Sequence, residues 1–483
     1  MTLVRNDALN LALDTGNNPY LMDGYAPVNT EIDAEDLDVV GEIPADLNGL
    51  YVRNGPNPMF SPPGRYHWFD GDGMLHAIHF RDGKATYRNR WVRTEGFRGN
   101  AVVGRERYTG MIEPSHRNPP TTMYRGLKDT ANTDVVFHNG SLHALWYLAG
   151  DPYRIDPVTL ETTGREDWGG ARNGRVSAHA KIDESTGEFM FFDYGPAAPY
   201  LWYGVVSPDG QLVHHVPVPL PAARLPHDMA ITPHYSILMD LPLFADPDVF
   251  AAGRHRLVFD MDLASRFAVI PRHGATPDVR WFEADPCYIY HTMNAWEEGD
   301  EIVMDVCRTR RPAPPDRDLT GPLESLLEYL RLDAQWYRYR FNLTTGSTTE
   351  GPMDDLNTEF PTINTSRTGT ESRYAYNIAI ESGYTTMFDG IVKYDMKTGS
   401  SLRYDFGPGR FGSEAPFAAR SDGAEDDGYL ISFVADHENG HSECVIVDAP
   451  TMTEVGRVQI PQRVPHGFHA CWVDQEQLEA RRS

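Results

Sequence analysis

Cysteine is scarce in this sequence: four residues occur among 483, namely Cys287, Cys307, Cys444 and Cys471. None of them forms a C-x-x-C pair, which argues against a zinc site built from thiolates. So low a cysteine content is typical of a reducing compartment. The first residues also lack the apolar core and the cleavage site of a signal peptide. We therefore expect a cytoplasmic protein.

Long apolar runs and an excess of positive charge are missing as well. No stretch of about 18 apolar residues occurs, so no membrane-spanning segment is expected. Acidic residues (69) outnumber basic ones (43), which gives a formal net charge of −26. A surface this acidic repels phosphate backbones and argues against nucleic-acid binding. A dinucleotide fingerprint is not expected either, because GPGRFG at 407–412 is followed by strand-like sequence instead of a helix.

Short alternating apolar runs are abundant, for example LHAIHF, EFMFFDYG and YLISFVAD, and they end in turn-forming residues. Such runs are typical of β-strands. Similar turn segments recur between them, namely RDGKATY, DPVTLETTG, SPDGQLV, NLTTGSTTE, DMKTGSSLRY and DAPTMTEVG. Most are separated by roughly 50–75 residues, about one four-stranded propeller blade with its connections. This pattern favours an all-β propeller, but by itself it leaves a pair of sandwiches or a mixed fold open.

Two segments interrupt the strand pattern within what we predict to be a single domain over residues 1–483. Residues 311–335 begin as a proline-rich loop and continue as LESLLEYLRL, with the leucine spacing of a helix. Residues 242–259 carry large apolar side chains between turns. We predict both as insertions that cover one face of the propeller. The second is a candidate for peripheral membrane contact, or else for a packed lid, through Leu241, Leu243, Phe244, Val249 and Phe250.

Four of the 18 histidines lie at or just inside apolar strands, flanked by small residues or proline: His179, His227, His291 and His469. They are far apart in the sequence, which no local metal-binding motif produces. The innermost strands of a propeller converge on one axis, so each strand could offer one imidazole there. Imidazole suits Fe, Cu, Zn and Ni alike, so the ligand type does not select the metal. The sequence leaves three competitors for this role, His234, His273 and His466.

A series of ordered motifs contains these histidines. It runs through EIPADLNGLYVRNGPNPMF (42–60), HWFDGDGMLHAIHF (67–80) and TANTDVVFHNG (130–140), then through VSAHAKID, RLPHDMAIT and IYHTMNAWEE around the first three histidines, and on through EFPTIN (359–364), SEAPF (413–417) and VPHGFHACW (464–472). With these motifs the chain resembles the carotenoid cleavage oxygenase family, which contains dioxygenases that cleave carotenoids, apocarotenoids or stilbenes, and retinoid isomerases. The resemblance implies a seven-bladed β-propeller with a dome of helices and loops over the metal-bearing face.

The same resemblance implies an Fe(II) ion held by His179, His227, His291 and His469. Glutamates stand behind three of the histidines in the family, and Glu359 and Glu414 match two of these. Thr133 matches a residue that faces the vacant coordination position, although a structural hydrogen bond would also explain a threonine there. Tyr147 stands where the family often has the third glutamate, so we expect one histidine, His227, to lack a carboxylate partner.

The reaction implied by the resemblance is the cleavage of one C=C bond by O2 into two carbonyl products. Trp146 stands where the stilbene branch typically has a lysine. An indole stacks against a polyene but cannot help to deprotonate a phenol, so we favour a carotenoid or apocarotenoid substrate. Cleavage of a hydroxystilbene and retinoid isomerisation remain the alternatives. Four residues are candidates for the substrate tunnel, and core packing would explain each of them equally: Trp68, Phe69, Trp146 and Phe244.

Overall fold

Strands form nearly all of the regular structure. The computed structural model of the protein describes residues 1–8, 18–121, 126–171, 175–246, 248, 257–310, 312, 332–381, 385–420 and 423–480. Seven antiparallel sheets follow one another along the chain and are arranged as the blades of a propeller. The prediction of an all-β, seven-bladed propeller is therefore confirmed. Among the described residues, no helix has the length and apolar character needed to cross a bilayer.

Blades 2, 3, 5 and 6 are four-stranded meanders that run from the axis outward. Blade 2 contains β7 (Asp134–His138), β8 (Ser141–Leu145), β9 (Tyr153–Ile155) and β10 (Thr162–Arg165). Blade 3 contains β11 (Lys181–Asp183), β12 (Glu188–Tyr194), β13 (Leu201–Val206) and β14 (Leu212–Pro217). Blade 5 contains β21 (Tyr288–Glu298), β22 (Glu301–Thr309), β23 (Ala334–Asn342) and β24 (Thr348–Pro352). Blade 6 contains β25 (Thr358–Thr362), β26 (Tyr374–Glu381), β27 (Met387–Asp395) and β28 (Ser400–Asp405).

Blade 4 also has a four-stranded sheet and carries an additional hairpin. Its sheet contains β15 (Ala230–Ile231), β16 (Tyr235–Asp240), β19 (Ser265–Pro271) and β20 (Arg280–Ala284). The hairpin pairs β17 (Leu243–Ala245) with β18 (Leu257–Phe259).

Blades 1 and 7 combine strands from both ends of the sequence and so close the ring. Blade 1 contains, from the rim to the axis, β1 (Thr2–Ala8), β2 (Thr30–Glu35), β6 (Lys84–Trp91), β5 (Gly73–Arg81), β4 (Gly49–Pro56) and β34 (Ala470–Asp474). Blade 7 contains β29 (Arg410–Phe411), β30 (Phe417–Ala419), β31 (Gly428–Asp436), β32 (His441–Asp448), β33 (Thr453–Ile460) and, outermost, β3 (Val39–Gly41). The late strand β34 therefore lies at the axis, and the early strand β3 at the rim.

The repeated turn segments are structurally equivalent. All six connect the third strand of a blade, counted from the axis, to the fourth. In blade 5 the side-chain oxygen of Asn342 accepts the N–H groups of Thr344 and Thr345 at 3.0 and 2.8 Å, and Gly346 follows at φ +76°. Such Asx turns hold a tight hairpin. Blade 4 shows no such motif because its connection is longer and contains a 3₁₀ helix, Thr276–Asp278.

The core lies between the blades. Strand β31 is buried along its whole length, whereas the outer strand β28 is exposed over most of its residues. Inner strands have a neighbouring blade on both faces, so their sequences are continuously apolar instead of alternating. The outermost strands are more exposed to solvent, as the burial of β28 shows.

Few helices occur among the described residues. The α-helices are Glu95–Val103 and Gln475–Ala480, and the 3₁₀ helices are Pro19–Leu21, Asp23–Tyr25, Trp68–Asp70, Ser115–Arg117, Thr276–Asp278 and Thr365–Arg367. The leucine-rich helix predicted within 311–335 lies outside the described residues except for Leu332, which is in no helix, and positions 334–335 already belong to β23. In the segment 242–259, Leu243 is buried, as is Leu241 just before it. These two side chains are therefore not available for membrane contact, whereas Val249 and Phe250 lie outside the described residues.

Candidate metal centre

Each blade has one polar residue at or near the start of its innermost strand, the strand closest to the propeller axis. These residues lie within a strand (His291, Glu359) or at most three residues before one. In blade order they are His469, Thr133, His179, His227, His291, Glu359 and Glu414. They are the same seven residues that the sequence singled out as metal ligands and as their supporting groups. The propeller therefore brings them together at its axis.

The four imidazole rings face one another. Donor nitrogens of His179, His227 and His291 all lie within 4.8 Å of one another, in an arrangement that could hold a metal ion. His469 completes the ring, with its centroid 4.4 Å from that of His179 and 4.6 Å from that of His291. His179, His291 and His469 are buried, each with 5% of its surface exposed, and His227 is half-buried. The site is thus largely enclosed and made of imidazole nitrogen donors.

The contacts within the ring fit a bound cation. The Nε2 atoms of His179 and His227 lie 3.2 Å apart, and the buried Nε2 of His291 has no hydrogen-bond partner. Two imidazole nitrogens that bind one ion at right angles, each ~2.1 Å from it, are about 3 Å apart. A buried nitrogen without a partner is costly unless something fills its place. The donor set therefore fits a divalent transition metal.

Two glutamates fix two of the rings from behind. Glu359 accepts the Nδ1 hydrogen of His291, and Glu414 accepts that of His469 at 3.0 Å. Each carboxylate also accepts a backbone N–H, which fixes its position. A proton held on Nδ1 leaves the Nε2 lone pair directed at the centre and makes it more basic. Burial raises the pKa of both carboxyl groups, that of Glu359 to about 8.

Burial also sets the charge of the imidazoles. It lowers the pKa of His179, His227 and His291 well below the usual value, and neighbouring imidazoles lower it further. These three rings are therefore neutral near pH 7, which is the form that binds a metal. His469 differs: burial lowers its pKa, but the Glu414 carboxylate outweighs that effect and raises it.

Tyr147 lies beside His227, with 6.5 Å between the ring centroids. Its phenol donates to the sulphur of Met111 at 3.7 Å. In the part of the chain that the structure describes, no carboxylate forms an ion pair with His227. Thr133 makes structural hydrogen bonds, one of the two explanations offered for it, and its role at a coordination position stays a prediction. Its hydroxyl donates to Asn132 Oδ1 and accepts the N–H of Tyr147, and its side chain borders the cavity at the histidines.

His179 has an unusual backbone conformation, with φ at +67°. A non-glycine residue in the left-handed region costs on the order of 1–3 kcal/mol and persists only where its surroundings enforce it. Here the N–H of His179 donates to Asp134 Oδ2 at 3.0 Å, and the N–H of Ala178 donates to the carbonyl of Trp146 at 3.1 Å. The strain places the imidazole at the axis.

An apolar cavity opens onto the histidines. It is lined by Trp68, Phe69, Thr133, Tyr147, His227, Tyr290, His291, Leu332, Phe360, Thr386, Phe388, Phe468 and His469. Two of the predicted tunnel residues, Trp68 and Phe69, therefore border it. Trp146 does not; it borders a second small cavity, which it shares with Phe69 and Lys128. Phe244 borders neither cavity and packs against the guanidinium of Arg224, 5.2 Å from its ring centroid.

Sequence reasoning missed several aromatic residues of this cavity. Tyr290 precedes His291, Phe360 follows Glu359 and Phe468 precedes His469. These three residues could have been predicted, because each is adjacent in sequence to a residue already expected at the axis and therefore lies close to the metal site. Phe388 and Thr386 carried no such signal, since they lie at or just before the start of β27, the third strand of blade 6 counted from the axis.

The three histidines that competed for the metal site in the sequence have partners elsewhere. Of the three competitors, His234 pairs with Glu297, His273 with Glu188, and His466 with His437, at 2.9, 2.8 and 3.1 Å. None of these three is part of the ring at the axis.

Comparison with known proteins identifies the family. A sequence profile of the family described as retinal pigment epithelial membrane protein matches residues 25–474. The chain is 38% identical over 502 residues to the carotenoid 9,10(9',10')-cleavage dioxygenase of Crocus sativus, which covers 95% of this chain and 90% of the relative. This chain belongs to the carotenoid cleavage oxygenase family. As a member of that family it is an enzyme of the dioxygenase type.

Solved structures of the family share its architecture. The lignostilbene dioxygenase of Pseudomonas brassicacearum matches with a TM-score of 0.86 at 28% identity, covering 96% of this chain and 100% of that one. The cobalt-substituted apocarotenoid oxygenase of Synechocystis matches with a TM-score of 0.82 at 28% identity, covering 94% of this chain and 98% of that one.

Proposed function

We propose that this protein cleaves one C=C bond of a carotenoid or apocarotenoid with O2 and releases two carbonyl products. The proposal rests on one observation above all: four imidazoles from four blades converge at the propeller axis, at the floor of an aromatic cavity. We further propose that His179, His227, His291 and His469 hold Fe(II). The family membership supports iron, and the cobalt-substituted relative supports a metal in this family. Bound iron would supply the activation of dioxygen.

The role of the surrounding residues is to orient the histidines and to position the substrate. Glu359 and Glu414 keep the Nδ1 protons of their histidines in place, so that the opposite nitrogens face the ion. Trp68, Phe360 and Phe468 offer faces and edges against which a polyene can lie. These contacts hold the reacting bond beside the axis, which lowers the entropy cost of the reaction.

The composition of the cavity suits the proposed chemistry. Its described lining contains no Asp, Glu, Lys or Arg side chain. Addition of both atoms of O2 across a C=C bond yields two carbonyls with no net transfer of protons and no external electrons. A general acid or base is therefore not required, and an apolar wall excludes water from the site.

Carotenoid cleavage is favoured over stilbene cleavage by two observations. The Crocus sativus relative, named for carotenoid cleavage, is 38% identical, against 28% for the lignostilbene dioxygenase. Trp146 also stands where the stilbene branch typically has a lysine, and its indole nitrogen is buried without a partner. The high TM-score of the lignostilbene enzyme keeps hydroxystilbene cleavage as the second candidate.

The test is a substrate panel with the iron-loaded protein. Apocarotenals, carotenes and hydroxystilbenes are incubated under ¹⁸O2, and the products are identified by mass. We expect labelled aldehydes from a carotenoid or apocarotenoid, and their masses locate the cleaved bond. Unlabelled isomerised products would indicate a retinoid-type isomerase instead, and products from hydroxystilbenes alone would move the protein to the stilbene branch.

The ligand assignment is tested with His179→Ala and His291→Ala. Each change removes one of four nitrogen donors from a buried site, so we expect loss of bound iron and of activity while the β-sheet circular dichroism is retained. His273→Ala is the control, because that side chain pairs with Glu188 at the surface. Full iron occupancy in both axial variants would contradict the assignment.

A further inference from the structure

One buried carboxylate, that of Asp228, connects the strands of three histidines. Asp228 directly follows His227, Thr292 directly follows His291, and Lys181 lies two residues after His179. These three neighbours come from blades 4, 5 and 3, so they meet beneath the ring of imidazoles, on the side away from the aromatic cavity. Lys181 and Thr292 there border a separate axial cavity of about 260 Å³.

The carboxylate of Asp228 accepts four hydrogen bonds. Oδ1 accepts from Lys181 Nζ at 2.7 Å and from the N–H of Met229 at 2.7 Å. Oδ2 accepts from the N–H of Thr292 at 2.7 Å and from its hydroxyl at 2.9 Å. The residue is 1% exposed. Both oxygens are thus saturated, and three blades share one rigid anchor.

The other bracing groups of the site work differently. Glu359 and Glu414 hold His291 and His469 through the imidazole rings. Among the described residues, no glutamate accepts from the rings of His179 or His227; the Nδ1 of His179 lies 3.7 Å from Asp134 Oδ2, which accepts the N–H of the same histidine. Asp134 thus braces His179, whereas Asp228 connects the chain segments of all three histidines, that of His179 through the Lys181 side chain.

We propose that Asp228 is a positioning residue of the metal centre: it fixes the spacing of His179, His227 and His291. This inference rests on the proposed function, because it needs a metal at the axis. A histidine one or two residues from a shared anchor cannot shift without breaking a bond to that anchor. Supporting groups outside the ligand set typically contribute a factor of about 10–100 in metal affinity.

The test is a Co(II) titration of the full-length, metal-free protein, followed by visible absorption and by competition with a chelator. We expect Asp228→Asn to bind cobalt about 10–100-fold more weakly and with an altered d–d spectrum, because an amide cannot accept from all four donors. Asp305→Asn is the matched control. Asp305 is equally buried and held by Arg338 at 2.7 and 2.8 Å, but it lies on the second strand of blade 5.

A milder, charge-neutral variant keeps the proposal falsifiable if Asp228→Asn fails to fold. Thr292→Val removes one side-chain donor to Asp228, so we expect it to weaken binding roughly three- to tenfold with the same direction of spectral change, whereas Thr292→Ser keeps the donor and should stay close to the parent. Parental affinity and spectrum in Thr292→Val would overturn the proposal, as would a loss in Asp228→Asn no larger than that of Asp305→Asn. If the parent protein itself binds no cobalt, the proposed metal centre fails as well, which distinguishes the two failures.

Discussion

Glu359 shows how a single side chain can tune this site. One oxygen accepts from His291 and from the N–H of Phe360, while the other is buried without a hydrogen-bond partner. A glutamine at this position can accept both hydrogen bonds through its amide oxygen. Its NH2 group then takes the place of the carboxylate oxygen that has no hydrogen-bond partner. The charge of the residue can therefore be tested separately from its geometry.

We predict that Glu359→Gln weakens metal binding by about 10–100-fold with little change in the stability of the metal-free protein. The reason is that a cation at the axis favours ionisation of the Glu359 carboxyl behind His291, and an amide cannot supply that charge. Chelator competition measures the affinity, and thermal denaturation of the metal-free form measures the stability. Glu443→Gln is the control, since that carboxylate pairs with Arg410 and Arg457 away from the axis. Unchanged affinity in Glu359→Gln would argue that geometry alone matters.

Tyr147 offers the opposite experiment. We predict that Tyr147→Glu tightens metal binding by about tenfold, because it places a carboxylate beside His227. The same change should lower the stability of the metal-free protein by about 1–3 kcal/mol, since a buried acid replaces a packed aromatic ring. Tyr147→Gln is the neutral comparison. If both variants bind metal alike, charge is not the cause.

At the scale of elements, the inner and outer strands of each blade contribute differently. The innermost strands carry the polar residues of the site, whereas the outer hairpins only connect the third strand to the fourth. Changes in the outer hairpins should therefore alter stability without altering metal binding.

Asn342 allows this separation to be measured. We predict that Asn342→Ala lowers the free energy of unfolding by about 1 kcal/mol, because two backbone N–H groups of the hairpin lose their acceptor. Metal affinity should stay at the parental value. Thr344→Ala in the same hairpin keeps the acceptor and should cost less. A loss of metal in Asn342→Ala would contradict the division of tasks.

The elements also show which predictions a sequence supports. The turn segments could be found because Asx turns and positive φ angles require particular residues at particular places, as at Asn342 and Gly346. The corresponding connection in blade 4 was invisible because a 3₁₀ helix replaces that chemistry. The apolar character of Leu241 and Leu243 suggested exposure at a membrane, but apolar residues fit a core equally well, and both are buried.

For the whole molecule, buried histidines couple stability to pH. Burial lowers the pKa of His138 to about 4, below the ~6.5 of an unfolded chain. Between these values the unfolded state binds the additional proton, so stability falls as the pH decreases from 6.5 towards 4. At pH 5 this group alone costs about 2 kcal/mol relative to pH 7.

We predict that His138→Gln reduces the loss of stability between pH 7 and pH 5 by about that amount. The glutamine amide can still donate to the carbonyl of Gly187, to which His138 Nε2 is hydrogen-bonded at 3.1 Å. Urea denaturation at the two pH values measures the difference. An equal loss in variant and parent would show that other groups govern the acid sensitivity.

The family motifs made it possible to predict that histidines far apart in the sequence meet at the propeller axis. His179 and His469 are separated by most of the chain, and only a closed ring of blades explains why they meet. The cavity was less accessible, because its wall depends on which side chains point to the axis. Trp146 and Phe244 were chosen as large aromatics, but local packing directs Trp146 to a neighbouring cavity and Phe244 to Arg224.

The closing strand β34 has a consequence for the order of events during translation. His179, His227 and His291 leave the ribosome long before His469, which directly precedes the strand that pairs with β4. If the proposed ion is bound, its full set of four nitrogen donors is therefore complete only after β34 has closed the ring. A cation that met the growing chain earlier would find three of these donors at most.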